Sequence, residues 1–168
     1  MEKISNKWKL AIAIAIPLIV GGLSAFITKD ATKSFETINK PPLAPPSIIF
    51  PIAWTILYVL MGIASYIIYQ SNGLTDKKEK KDALILYIIQ LIFNFFWSII
   101  FFNLKMYYFA FIWLIILWIF IVLLLIKANR INKIAYYLLI PYIVWVTFAG
   151  YLNISIAILN WVPNGTFF

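Results

Sequence analysis

The sequence predicts an all-α membrane protein, a bundle of five transmembrane helices, on three grounds. Five long runs, approximately residues 10–28, 48–70, 83–103, 106–126 and 134–160, hold almost nothing but apolar side chains and no Asp, Glu, Lys, Arg or His. Each is long enough to cross a bilayer as a helix, at about 1.5 Å per residue. Charged residues make up only 12% of the chain, against about a quarter in a soluble domain. The basic residues flank the apolar runs instead of gathering in a patch, so the net charge of +8 reads as an orientation signal and not as a nucleic-acid surface. The length suits one domain, residues 1–168.

The first run follows a short basic segment with Lys3, Lys7 and Lys9. A signal peptide cut near Ser24-Ala25 is the alternative, but the run exceeds a usual signal core and further spans follow, so a retained helix is expected. Pro17 lies inside it, where neighbouring helices can tolerate the lost N–H. Gly21 and Ala25, four apart, offer a small face for close packing within the molecule. Residues 29–47 then read as a loop of mixed charge, too long for a tight turn and of a length often tied to function. It carries Pro41, Pro42, Pro45 and Pro46, which exclude a helix interior. A stiff loop therefore feeds into the second span, with Pro51 in its first turn, where a missing N–H costs little. Trp54, Tyr58, Gly62, Ser65 and Tyr66 recur along that span at helical spacing, so the loop is expected to form a lid over an aromatic-lined pocket.

Residues 71–82 read as a polar loop before the third span. Asn103-Leu104-Lys105 is so short a connection that spans three and four must be antiparallel neighbours. The fourth span, with Trp113 and Trp118 among Ile and Leu, is uniformly apolar and is expected to carry no site. Residues 127–133 read as a short basic loop. The fifth span contains Pro141 as a possible bend, Trp161 follows as an interfacial anchor, and Pro163-Asn164-Gly165 stops the helix. Lys3, Lys7, Lys9, Lys77, Lys78, Lys80, Lys81, Lys127, Arg130 and Lys133 fall on one side of the membrane and Lys29, Lys33, Lys40 and Lys105 on the other. The positive-inside rule then places the N-terminus in the cytoplasm and the Pro-rich loop and C-terminus outside.

What the composition lacks narrows the chemistry. With no Cys and no His, disulfides, thiol catalysis, zinc sites and histidine acid–base chemistry are excluded. No span contains an ionisable residue of the kind that proton relays and ion-coupled pumps place at depth. No glycine-rich phosphate loop is present, and no internal repeat suggests a transporter of inverted halves. No cofactor and no metal site are expected.

Amides, hydroxyls and aromatics remain. Gln90, Asn94 and Trp97 share one face of the third span, at i, i+4 and i+7. Tyr142, Trp145, Ala149 and Leu152 form a face of the fifth, with Asn153 beside it, and Trp54 and Tyr58 add a face from the second. Each amide alone fits a role as glue between helices, and each aromatic alone fits packing. Three Trp on three spans, each beside a polar neighbour, is also how an apolar pocket with a few orienting groups is built.

These residues resemble the TspO/MBR family, the tryptophan-rich sensory proteins of bacteria and the mitochondrial translocator protein, formerly the peripheral benzodiazepine receptor. The resemblance runs from about Gly21 to Asn160. It rests on Lys40-Pro41 with Pro45-Pro46, Trp54-Thr55-Ile56-Leu57-Tyr58, Met61-Gly62-Ile63-Ala64, Gln90 and Asn94 with Trp97, Phe101-Phe102-Asn103-Leu104-Lys105, Leu139-Ile140-Pro141-Tyr142 with Trp145, Phe148-Ala149 and Leu152-Asn153. It implies a five-helix fold, commonly a homodimer, in a bacterial cytoplasmic membrane. It implies a receptor or sensor that binds porphyrins and other tetrapyrroles or similar flat apolar molecules. Passive transport of such ligands, or their light-dependent degradation with pocket Trp residues, are the alternatives it carries. By position the family's pocket falls on Trp54, Asn94, Trp97, Trp145, Ala149 and Leu152, with Phe35, Pro45 and Ile48 from the closing loop. The chain departs from the family pattern at Ser34-Phe35, where Trp-Tyr is usual, so a phenolic hydroxyl is missing. Leu43 stands where Trp is usual between the proline pairs, and no basic residue completes a sterol motif on the fifth span.

Overall fold

The computed structural model describes residues 2–34, 37–71 and 77–160, with side chains from residue 6 to 32 in the first stretch. Among these residues five α-helices follow one another: α1 (Glu2–Ser34), α2 (Ile49–Gln70), α3 (Lys77–Ser98), α4 (Tyr107–Ile131) and α5 (Lys133–Leu159). α3 runs on as a wider π-helical turn, Ile99–Asn103. All five are long and apolar enough to cross a membrane. Phe35, Trp161 and Pro163-Asn164-Gly165 lie outside the described residues.

The helices outrun the apolar spans. The expected loop at 29–47 is helical as far as Ser34, and the expected loop at 71–82 gives way to α3 at Lys77. The expected basic loop at 127–133 is absent, because α4 continues to Ile131 and only Asn132 separates it from α5. Spans mark where charge stops. Helices stop later, because Lys, Arg, Glu and Ala are good helix formers and each added residue needs no new nucleus. Asn132 makes the turn by capping α5, accepting from Ile134 N at 2.9 Å and Ala135 N at 3.3 Å. Lys127 and Arg130 thereby sit on the last turns of α4, where the helix dipole favours cations. They pair there with Glu79 and Asp82 of α3.

Around the bundle the order is α1, α2, α5, α4, α3 and back to α1. The short connection does make α3 and α4 neighbours. Its turn is closed by Lys105 in the left-handed region, with φ of 54°, and Asn103 Nδ2 donates to Ile27 O of α1 at 3.3 Å. The core lies among α2 to α5, around Met61, Ile68, Leu117, Ile121, Leu139, Tyr142 and Ile156. α1 is peripheral. Its buried stripe is Pro17, Ser24 and Thr28, while Ile12, Ile19, Leu23 and Phe26 point outward.

α1 meets α2 at backbone distance. A Cβ on Gly62 would stand 2.5 Å from Ile14 Cα and 2.7 Å from Ala13 O. Ala13 is the residue whose carbonyl cannot receive the usual i+4 N–H, because that position is Pro17. The proline frees a carbonyl and the glycine makes room for it, a geometry that suits a weak Cα–H···O contact. Gly21, expected to mediate close packing, faces the Tyr58 ring, which a Cβ there would overlap.

Candidate ligand-binding cavity

A cavity of about 530 Å³ opens in the half of the bundle nearest the Pro-rich loop. α5 lines it with Trp145, Ala149, Leu152, Asn153 and Ile156, one stripe at i, i+4, i+7, i+8 and i+11. α2 contributes Pro51, Trp54 and Tyr58. Trp97 and Ser98 come from the end of α3, and Phe101 and Phe102 from its π turn. Such turns recur at functional sites, and here the widened turn carries two rings of the wall. α1 closes the side with Gly21, Ser24, Ala25 and Thr28. None of the described residues of α4 lines this cavity.

The rings are ordered by contacts. Trp54 stacks on Tyr58, with centroids 5.4 Å apart, and meets Tyr142 edge-on at 6.3 Å. Trp97 stacks on Phe101 at 5.1 Å. Its Nε1 donates to Asn153 Oδ1 at 3.1 Å, and Asn153 Nδ2 donates to Tyr107 O at 2.7 Å. Trp145 meets Phe50 edge-on at 6.0 Å. Its Nε1 is buried without a hydrogen-bond partner among the described residues. Among the described residues Lys29 is the one charged residue in the wall, and its ammonium lies 4.7 Å from the centre of the Phe26 ring.

Behind the Trp54–Tyr58 wall runs a chain of hydrogen bonds. Tyr58 Oη donates to Asn94 Oδ1 at 2.8 Å, Asn94 Nδ2 to Tyr142 Oη at 3.2 Å, Tyr142 Oη to Gln90 Oε1 at 2.6 Å and Gln90 Nε2 to Tyr87 O at 3.0 Å. It joins α2, α3 and α5 at bilayer depth. Unpaired polar groups are costly there, so each member holds the next in place.

The sequence-predicted residues divide accordingly. Ile48, Trp54, Trp97, Trp145, Ala149 and Leu152 line one cavity. Asn94 does not. It is 2% exposed and spends its amide on two tyrosines, so the alternative of glue between helices describes it. Pro45 is half-buried in the loop but outside the wall, to which that segment gives Ser47 and Ile48. Phe35 lies outside the described residues. The sequence reading missed the α1 wall. Its signal was Gly21, Ser24, Ala25 and Thr28, a stripe of small and hydroxyl residues that also fits helix packing. It also placed Phe101, Phe102 and Ile156 in no site.

The loop is fastened to the end of α5 through Asn39. Asn39 N donates to Asn160 Oδ1 at 3.0 Å and Asn160 Nδ2 donates back to Asn39 O at 2.9 Å. This reciprocal clasp joins the loop to the end of α5. Leu43, at the loop tip, is 68% exposed.

Residues 13–159 match the model of the TspO/MBR family. The chain is 39% identical over 152 residues to the tryptophan-rich protein TspO of Chlorobaculum tepidum, covering 90% of this chain and 95% of that one. It is 34% identical over 156 residues to the tryptophan-rich protein TspO of Archaeoglobus fulgidus, covering 92% and 99%. It is 31% identical over 148 residues to the translocator protein of Bos taurus, covering 87% of each. Five apolar helices and these relatives make it an integral, multi-pass membrane protein.

Proposed function

This chain belongs to the TspO/MBR family, and from that premise we propose that its cavity receives a flat, largely apolar conjugated molecule of the tetrapyrrole class, as a membrane receptor or sensor does. Three indoles from three helices facing one cavity of about 530 Å³ carry the reading. The volume is within the range of small-molecule sites, and large aromatic faces stack on a planar ligand. Passive transfer of the same ligand is the second reading, supported by the peripheral packing of α1 and by relatives named translocator protein. The distribution of Lys and Arg supports an N-terminus in the cytoplasm, and a homodimer in a bacterial cytoplasmic membrane completes the proposal.

Titration of the detergent-purified protein with protoporphyrin IX, followed by Trp fluorescence, tests it. Saturable quenching is expected, weakened at least tenfold in Trp54→Leu and Trp145→Leu variants of unchanged helicity. Linear quenching that neither change affects would refute the binding site. Porphyrin flux into proteoliposomes no faster than into empty vesicles would remove transport by this chain alone.

A further inference from the structure

At the end of the bundle far from the cavity, α3 opens with Lys77, Lys78, Lys80 and Lys81, with Glu79 the one acid of its first turn. Cations at a helix N-terminus add to the dipole instead of offsetting it. The nearby carboxylates turn toward α4. Glu79 lies 3.7 Å from Lys127 and 3.4 Å from Arg130, and Asp82 lies 3.5 Å from Lys127. Lys80 turns the other way. Its ammonium is 5.2 Å from the centre of the Tyr69 ring on α2 and 3.4 Å from Ser71 O. Lys9 of α1 approaches the same ring, at 5.7 Å. Neither ammonium has a carboxylate within ion-pair distance among the described residues.

Two cations from two helices thus converge on one tyrosine that is itself 48% exposed. All three residues stand near the ends of spans, Asn6–Thr32, Ile49–Gln70 and Lys77–Asn103. That is the depth of the headgroups, where tyrosine settles and where phosphates are the abundant anions. Orientation rules require lysines on this side of the membrane. They do not require that two lysines meet over one ring while the neighbouring acids face away.

We propose that Lys9, Tyr69 and Lys80 form a headgroup site for an anionic glycerophospholipid, with the two ammonium groups on its phosphate oxygens and the phenol ring against its glycerol. A zwitterionic lipid fits less well, because its own cation competes for the phosphate. The site is independent of the cavity, whose nearest α2 residue, Tyr58, is about 16 Å away along the helix at 1.5 Å per residue.

Native mass spectrometry of the full chain in detergent, with phosphatidylglycerol or phosphatidylcholine added, provides the test. One phosphatidylglycerol should be retained at collision energies that strip phosphatidylcholine. The K9Q/K80Q double variant should lose that preference and K9R/K80R should keep it. The K105Q/K133Q variant, with the same loss of charge elsewhere, should behave as the parent. Equal retention of both lipids by the parent would overturn the proposal. So would a K105Q/K133Q loss as large as that of K9Q/K80Q, which would make net charge the cause. Inorganic phosphate that displaces the lipid at equal concentration would show a site for the free ion, and would overturn it as well.

Discussion

Asn94 and Trp54 show how differently a side chain behind a wall and one within it can act. Asn94 binds hydroxyls of α2 and α5 and does not touch the cavity. Trp54 lines the cavity and leans on Tyr58. Asn94→Leu should therefore strand the Tyr58 hydroxyl and cost about 1–3 kcal/mol of stability, read from the unfolding midpoint in detergent, with a smaller effect on ligand quenching. Trp54→Leu should do the reverse. The opposite pattern would return Asn94 to the binding site. Sequence could place Trp54, Trp97 and Trp145 because an indole in a span sits on the same helical face whatever it touches. It could not separate Asn94 from them, because an amide facing a cavity and one facing a tyrosine occupy the same helical position. Only the distance to Tyr58 and Tyr142 distinguishes the two.

α1 and α2 come to backbone distance where the freed Ala13 carbonyl meets the bare Cα of Gly62. Gly62→Ala puts a methyl where backbone already stands and backbone cannot give way, so α1 must shift. We expect a loss of about 1–3 kcal/mol, the range for overpacking, and easier proteolysis of α1. Gly22→Ala, where a Cβ meets nothing within 4 Å, should leave stability unchanged or raise it slightly. Denaturation of both variants in one detergent checks the pair. The existence of each helix was legible from its charge-free run. The ends were not, because Lys77–Lys81 and Lys127–Arg130 are polar enough to read as loops and helical enough to extend their neighbours. The π turn left no signature either, since Ile99–Asn103 has the same apolar composition as the turns before it.

The molecule as a whole is a four-helix core of α2 to α5 with α1 laid against it, and the cavity occupies the space that α1 only partly fills. Ring order was not readable beyond the α3–α4 contact, because connections longer than a few residues do not dictate neighbours. Five spans place the two termini on opposite sides of the membrane. With the basic flanks inside, a fluorescent protein fused to the N-terminus should glow, while at the C-terminus only a phosphatase reporter should be active. The opposite result would reverse the orientation while leaving the helix packing as described.

The clasp between Asn39 and Asn160 has a kinetic consequence. Its hydrogen bonds are exposed to water at the end of α5, so each is worth only about 0.5–1.5 kcal/mol, and neither Asn lines the cavity. It can delay a bound molecule without holding it more tightly. Asn160→Ala should raise the association and dissociation rates of protoporphyrin together, by several-fold in stopped-flow quenching, with Kd nearly unchanged. The residence time of the ligand would then be set at a point that contributes nothing to its affinity.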